Sequence, residues 1–166
     1  MKVDESPIPP VDLEFRKILK VLNGPAYTPV HQLTPAAARA QTERLFQGPP
    51  VVAVGSQRNF TAETPLGEIR CRLYHPQPGT RLPLLIYYHG GGWVLGDLDS
   101  IHGVTASLAA RSGCAVLSVD YRLAPEHPFP AAVDDALAAL RWAAENETQL
   151  EIDGARIAVG GDSAGG

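Results

Sequence analysis

The sequence has little lysine, little cysteine and no long apolar run, and each shortage removes a class of function. Its three lysines, Lys2, Lys17 and Lys20, all fall in the first twenty residues, and the arginines are scattered. With a net charge of −4 and no basic stripe, the chain cannot neutralise a phosphate backbone, which excludes nucleic acid as a partner. The two cysteines, Cys71 and Cys114, stand far apart with no CxxC pair and no histidine at ligand spacing. They read as two small buried apolar residues, and no metal site is expected. No apolar stretch is long enough to span a bilayer, so no membrane partner is expected. The opening MKVDESPIPPVD is acidic and broken by proline, unlike a secretory leader, so the expected location is cytoplasmic.

What is present describes a folded α/β chain. Of 166 residues, 45% are apolar and 19% charged, enough to bury a core in one domain or most of one. Val11, Phe15, Ile18, Leu19 and Leu22 share one face of a helix, which Asn23-Gly24-Pro25 ends through a left-handed glycine cap. Thr34-Pro35 opens a second helix running to about Phe46, and Gly48-Pro49-Pro50 closes it. The expected division is a helical cap region over residues 1–48 and the main sheet domain over 49–166. Phe15, Leu19, Leu45 and Phe46 would face a site that the cap covers as a lid.

Beyond the cap the period changes. Ile69, Cys71 and Leu73 alternate with Arg70, Arg72 and Tyr74, a strand with one wet face. Leu82–Tyr88, Cys114–Val119 and the shorter Ile157-Ala158-Val159 read as strands buried on both faces, as in a parallel sheet. Helical patterns lie between them. One carries Ile101, Val104, Leu108 and Ala109 and ends at Gly113; the other carries Val133, Leu137, Leu140 and Ala144. Strand–helix–strand alternation predicts right-handed crossovers and an α/β, mostly parallel sheet, with ligands beyond the carboxyl ends of its strands.

Two of those strand ends carry motifs with chemistry. Gly161-Asp162-Ser163-Ala164-Gly165 is a G-x-S-x-G, a strained turn that lifts the Ser163 hydroxyl into the open as a nucleophile. Its glycines are expected where a side chain would strike neighbouring backbone, and the Ala164 N–H is expected to face a developing oxyanion. His89-Gly90-Gly91-Gly92-Trp93 follows directly on Leu82–Tyr88, and three glycines leave backbone N–H groups bare. Two such donors would each give roughly 3–4 kcal/mol of transition-state stabilisation. A phosphate cradle does not fit, because Leu95 stands where G-x-G-x-x-G needs its third glycine. A third segment, Asp120 to Ala131, has three prolines within six residues and reads as rigid scaffold, with Arg122 and Glu126 able to pair inside it.

Together HGGGW, DYRLAPEHPFPAA and GDSAGG resemble the hormone-sensitive-lipase-like carboxylesterases, the bacterial esterase family IV. The likeness runs from about Arg81 to the final residue, with all three motifs in the family's order. It implies an α/β-hydrolase fold and cofactor-free hydrolysis of small-molecule esters with short to medium acyl chains. It also implies Ser163 as nucleophile and Gly91, Gly92 and Ala164 as oxyanion donors, with His89 and Gly90 supporting the loop.

A serine nucleophile needs a histidine base and an orienting carboxylate, which follow the serine in this fold. Only Ala164, Gly165 and Gly166 follow it here, and the histidines at 31, 75, 89, 102 and 127 all precede it. The expectation is that the chain is the N-terminal part of a longer esterase, inactive alone, with β-sheet edge exposed at its last strand. The rival is a binding or receptor protein that kept the fold and lost catalysis. Assembly into a homo-oligomer stays open.

Overall fold

The computed structural model describes residues 11–45 and 52–166. It divides into two compact units, 1–34 and 35–166. In the first, helix α1 (Leu13–Leu22) carries exposed Phe15 and Leu19 side chains. It does not end through a left-handed glycine. Instead the Gly24 N–H donates to the Val21 carbonyl at 3.0 Å, and Asn23 Nδ2 donates to the Leu19 carbonyl at 2.9 Å. Helix α2 (Pro35–Leu45) starts at the proline, where a missing N–H costs nothing, and belongs to the second unit. The expected end at Phe46, the Gly48-Pro49-Pro50 break and the Leu45 side chain lie outside the described residues.

Five strands form one sheet in the order β1-β2-β4-β3-β5. They are β1 (Ser56–Thr64), β2 (Gly67–His75), β3 (Leu82–Tyr88), β4 (Ala115–Asp120) and β5 (Ile152–Gly161). Strand β3 pairs in parallel with β4 and with β5, whereas β2 lies antiparallel to both β1 and β4. Strand β2 alone therefore runs against the other four. The β1 strand was not evident from pattern, because most of its side chains are polar; it is recruited by a tight turn at Gly67, φ +112°, and by burial of Ala62.

Helices α3 (His102–Ser112) and α4 (Ala131–Glu145) cover opposite faces, with a short α5 (Glu147–Leu150) leading into β5. On the α4 face Ile69, Cys71, Leu73, Leu84, Ile86, Leu117 and Val119 pack against Ala139, Trp142 and Ala143. On the other, Tyr74, Tyr87 and Val116 pack against Ala106 and Ala109. Full burial of each large aliphatic side chain contributes about 1.5–3 kcal/mol. Period-two alternation assigns β2 correctly up to Tyr74, which is not wet. It is fully buried beneath α3, its hydroxyl 2.7 Å from His102 Nδ1.

Both helix faces read from the sequence hold in part: Ala109 is buried, and Ile101, Leu108 and Leu140 pack against the core. Helix α3 buries Gly103, Thr105, Ala106 and Ala109, small residues that let its backbone approach the sheet, and leaves Val104 exposed. It does end at Gly113, φ +72°. Helix α4 buries Asp135, Ala139, Trp142 and Ala143, while Val133, Leu137 and Ala144 are exposed. Asp135 can lie inside because it accepts from the Arg122 guanidinium, at 2.6 Å to Nη2, and from the Arg122 backbone N–H at 2.8 Å. Arg122 thus pairs with Asp135 and not with Glu126.

Cysteine is partly as expected. Cys71 is fully buried and its thiol is pushed up to about 12 by desolvation, whereas Cys114 is only half-buried. Strand β5 lies at the sheet edge, so Ala158 and Val159 are exposed rather than buried on both faces. No helix among the described residues is long and apolar enough to cross a membrane.

Candidate active site

Strands β3 and β5 are parallel neighbours, with Tyr88 opposite Gly161, so the segments that leave their carboxyl ends start side by side. One is the glycine loop His89–Trp93, the other the turn through Ser163. Close packing explains the glycines of that turn. A Cβ on Gly161 would stand 2.2 Å from the Gly165 carbonyl oxygen and 2.4 Å from that of Tyr88. One on Gly165 would stand 2.0 Å from the Tyr88 oxygen. Between them Ser163 takes φ +51°, a left-handed conformation unfavourable for a residue with a side chain, and its side chain is exposed. A single 3-10 turn, Ser163–Gly165, follows, with the Gly165 N–H donating to the Asp162 carbonyl at 2.9 Å.

The glycine loop folds back on itself. The Gly91 carbonyl accepts from the N–H groups of Val94 at 3.1 Å and Leu95 at 2.9 Å. Gly91 has φ +124° and Gly92 φ +62°, and the next residue, Trp93, keeps φ +60°. Beneath them His89 is buried, its ring stacked on Tyr121 with centroids 4.4 Å apart, and its Nδ1 donates to the Gly90 carbonyl at 2.7 Å. The Tyr121 hydroxyl donates to the His89 carbonyl, and burial pushes that phenol up to about 12.

The residue joining loop to turn is Asp162, which the sequence reading passed over as the filler of a motif. Its Oδ1 accepts from the Gly90 N–H and from the Tyr87 hydroxyl, both at 3.0 Å. Glycine suits position 90, since a Cβ would stand 2.2 Å from Asp162 Oδ2 and 2.9 Å from the Asp162 carbonyl oxygen. An acidic residue set among small ones immediately before the serine was the available signal.

Two cavities open on this region. One of about 330 Å³ has Tyr88, Trp93, Tyr121, Val159 and Ala164 in its wall. The other, about 440 Å³ and mostly apolar, is formed by Gly92, Trp93, His127, Phe129 and Val133. Trp93 is common to both. Among the described residues none of the five histidines is hydrogen-bonded to Ser163: His102 bonds Tyr74, and His75 bonds the Glu151 carbonyl at 3.0 Å. No three His, Cys, Asp or Glu side chains gather into a metal site among the described residues.

This geometry has known counterparts. The family model for the alpha/beta hydrolase fold matches residues 85–166. The chain has the alpha/beta hydrolase fold. It is 55% identical over 103 residues to carboxylesterase NlhH of Mycobacterium tuberculosis, covering 61% of this chain and 32% of the relative. It is 40% identical over 124 residues to an arylesterase of Saccharolobus solfataricus, covering 75% and 40%. A hyperthermophilic esterase from the archaeon Pyrobaculum calidifontis superposes with a TM-score of 0.84 at 41% identity, covering 94% of this chain and 50% of that one. The chain thus spans a third to two fifths of these curated relatives and half of the solved one.

Proposed function

We propose that the chain is the nucleophile-bearing half of a serine carboxylesterase of the hormone-sensitive-lipase-like type, cytoplasmic and free of cofactors. The single observation that carries this reading is the juxtaposition of Ser163, at φ +51° beyond β5, with a glycine loop fastened to the same turn through Asp162. The names of its relatives agree with it.

In this reading Ser163 Oγ attacks the ester carbonyl carbon while its proton passes to a histidine. Among the described residues no histidine is bonded to Ser163, and the relatives named above are about twice the length of this chain, so base and carboxylate are assigned to that remainder. The carbonyl oxygen becomes an oxyanion held by the N–H groups of Gly91, Gly92 and Ala164. The C–O bond to the alcohol breaks, and the leaving oxygen takes the proton. Water then attacks the acyl-serine by the same steps and frees the acid. The apolar cavity beside Gly92 and Trp93 would suit a short to medium acyl chain. Residues 1–48, α2 included, would serve as cap.

The test is a p-nitrophenyl alkylphosphonate on the whole protein. Serine oxygen displaces p-nitrophenolate from phosphorus, so one equivalent should be released and Ser163 should carry the phosphonyl mass. A label on another residue, or none, would sink the reading and favour a binding protein on a borrowed fold.

Asp162 enters as a positioning residue. Replacing it by Ala releases both the Gly90 N–H and the Tyr87 hydroxyl, and should lower kcat by about 10-fold or more through a misplaced loop. Asp162→Asn keeps an oxygen acceptor and should be milder. Equal kcat in Asp162→Ala and parent would remove Asp162 from the account.

A further inference from the structure

Arg39, on helix α2, belongs neither to the glycine loop nor to the serine turn, yet its guanidinium reaches both segments that frame the loop. Its Nε donates to the Val94 carbonyl at 2.8 Å, and Nη2 donates to the Ala124 carbonyl at 2.9 Å. A two-pronged contact with Glu126 completes the set, at 2.8 Å from Nη1 and 2.7 Å from Nη2. With the two side chains 32% and 54% exposed, the ion pair itself adds little to stability.

The carbonyl contacts carry the argument. Val94 and Leu95 close the turn on the Gly91 carbonyl, so the Val94 peptide is part of the frame holding Gly91 and Gly92. Trp93 and Ala124 are already bonded, the Ala124 N–H donating to the Trp93 carbonyl at 2.8 Å. One planar side chain therefore ties a helix, the glycine turn and the proline-rich segment together. A lysine, with a compact ammonium, cannot serve acceptors arranged around a fork in this way.

We propose that Arg39 is a positioning residue for the Gly91 and Gly92 donors, and that it couples helix α2 to turnover. The proposal rests on reading that loop as the oxyanion site. Glu126, in turn, holds the guanidinium plane in register with the two carbonyls.

The experiment compares Arg39→Met, Arg39→Lys and Glu126→Gln in the whole protein. It reads kcat and KM on a short-chain chromogenic ester, the Tm, and amide exchange of Val94 and Leu95. Arg39→Met should lower kcat ~10–100-fold with KM changed less than about threefold, the signature of misplaced groups rather than lost binding. The Val94 and Leu95 amides should exchange faster. Glu126→Gln keeps both carbonyl bonds and should cost less than either Arg39 variant, with Arg39→Lys between Glu126→Gln and Arg39→Met.

Parent kcat and parent exchange in Arg39→Met would overturn the proposal. So would equal losses in Arg39→Met and Glu126→Gln that track Tm, which is the mark of stability alone. Should Arg39→Met not fold, a Glu126→Gln variant slower than Arg39→Lys overturns it instead. If Ser163→Ala kept its turnover, the oxyanion reading would fall. The exchange of Val94 and Leu95 would still decide whether Arg39 holds the turn.

Discussion

Ser163→Ala in the whole protein is expected to lower kcat on a chromogenic short-chain ester by about 10⁴-fold or more, with KM little changed. The magnitude follows from what the variant loses and keeps. It loses the atom that forms the acyl bond, and a histidine with no hydroxyl to deprotonate contributes nothing by itself. It keeps the glycine loop, so a residual acceleration of about 10³–10⁴ over water can survive. The fold should survive as well. Ser163 is exposed at φ +51°, and alanine there meets the same backbone cost as serine without leaving a cavity. Steady-state kinetics alongside a melting curve check both halves. Near-parent kcat in a folded variant would mean that the hydrolytic nucleophile lies elsewhere.

The turn around that serine was legible in the sequence because backbone demands are written in residue types. Gly161 and Gly165 meet other backbone at 2.0–2.4 Å where a Cβ would go, so no other residue fits, and the pattern survives as letters. Strand β3 was legible for a similar reason. Lying between β4 and β5 with helices over both faces, it needs apolar side chains along nearly its whole length, and Leu82–Tyr88 supplies them. From β2 onward the alternation of strands with the two long helices, α3 and α4, followed from the same periodicity.

What was not legible depends on partners distant in sequence. Asp135 lies on the buried face of α4 because Arg122 neutralises it across the proline segment, whereas apolar periodicity put Val133 and Leu137 inside. Glu126 was matched with Arg122, four residues away, when its partner is Arg39, 87 residues away in the chain. Strand β5 is the open edge expected of the last strand, but its apolar run read as buried on both faces, since such a run does not tell a neighbour from an edge. Asp162 was hidden differently. Its motif position was read, but a carboxylate that accepts a backbone N–H from another loop leaves no periodic trace.

Gly91→Ala and Gly92→Ala should separate sharply, although the two glycines are adjacent and carry the same proposed duty. Gly91 has φ +124°, a conformation that L side chains rarely adopt, and an added Cβ would stand 2.1 Å from the Leu95 carbonyl oxygen. That oxygen cannot withdraw freely, because the Leu95 N–H is held at 2.9 Å by the Gly91 carbonyl itself. The turn must open, and the donors move with it. Gly92, at φ +62°, lies in the left-handed region that alanine reaches at a cost of about 1–2 kcal/mol, with nothing within 4 Å of the added carbon. Loss of one oxyanion donor costs about 10²–10³ in kcat, so Gly91→Ala should lose about 10²-fold or more. Gly92→Ala should lose no more than about 10-fold, since the strain leaves its N–H in place. KM should move little in either, because the donors act on charge that develops in the transition state. The decisive comparison is kcat for both variants at matched Tm. Equal losses would show that the loop tolerates movement at Gly91, and that the donors are not set by the turn closed on Leu95.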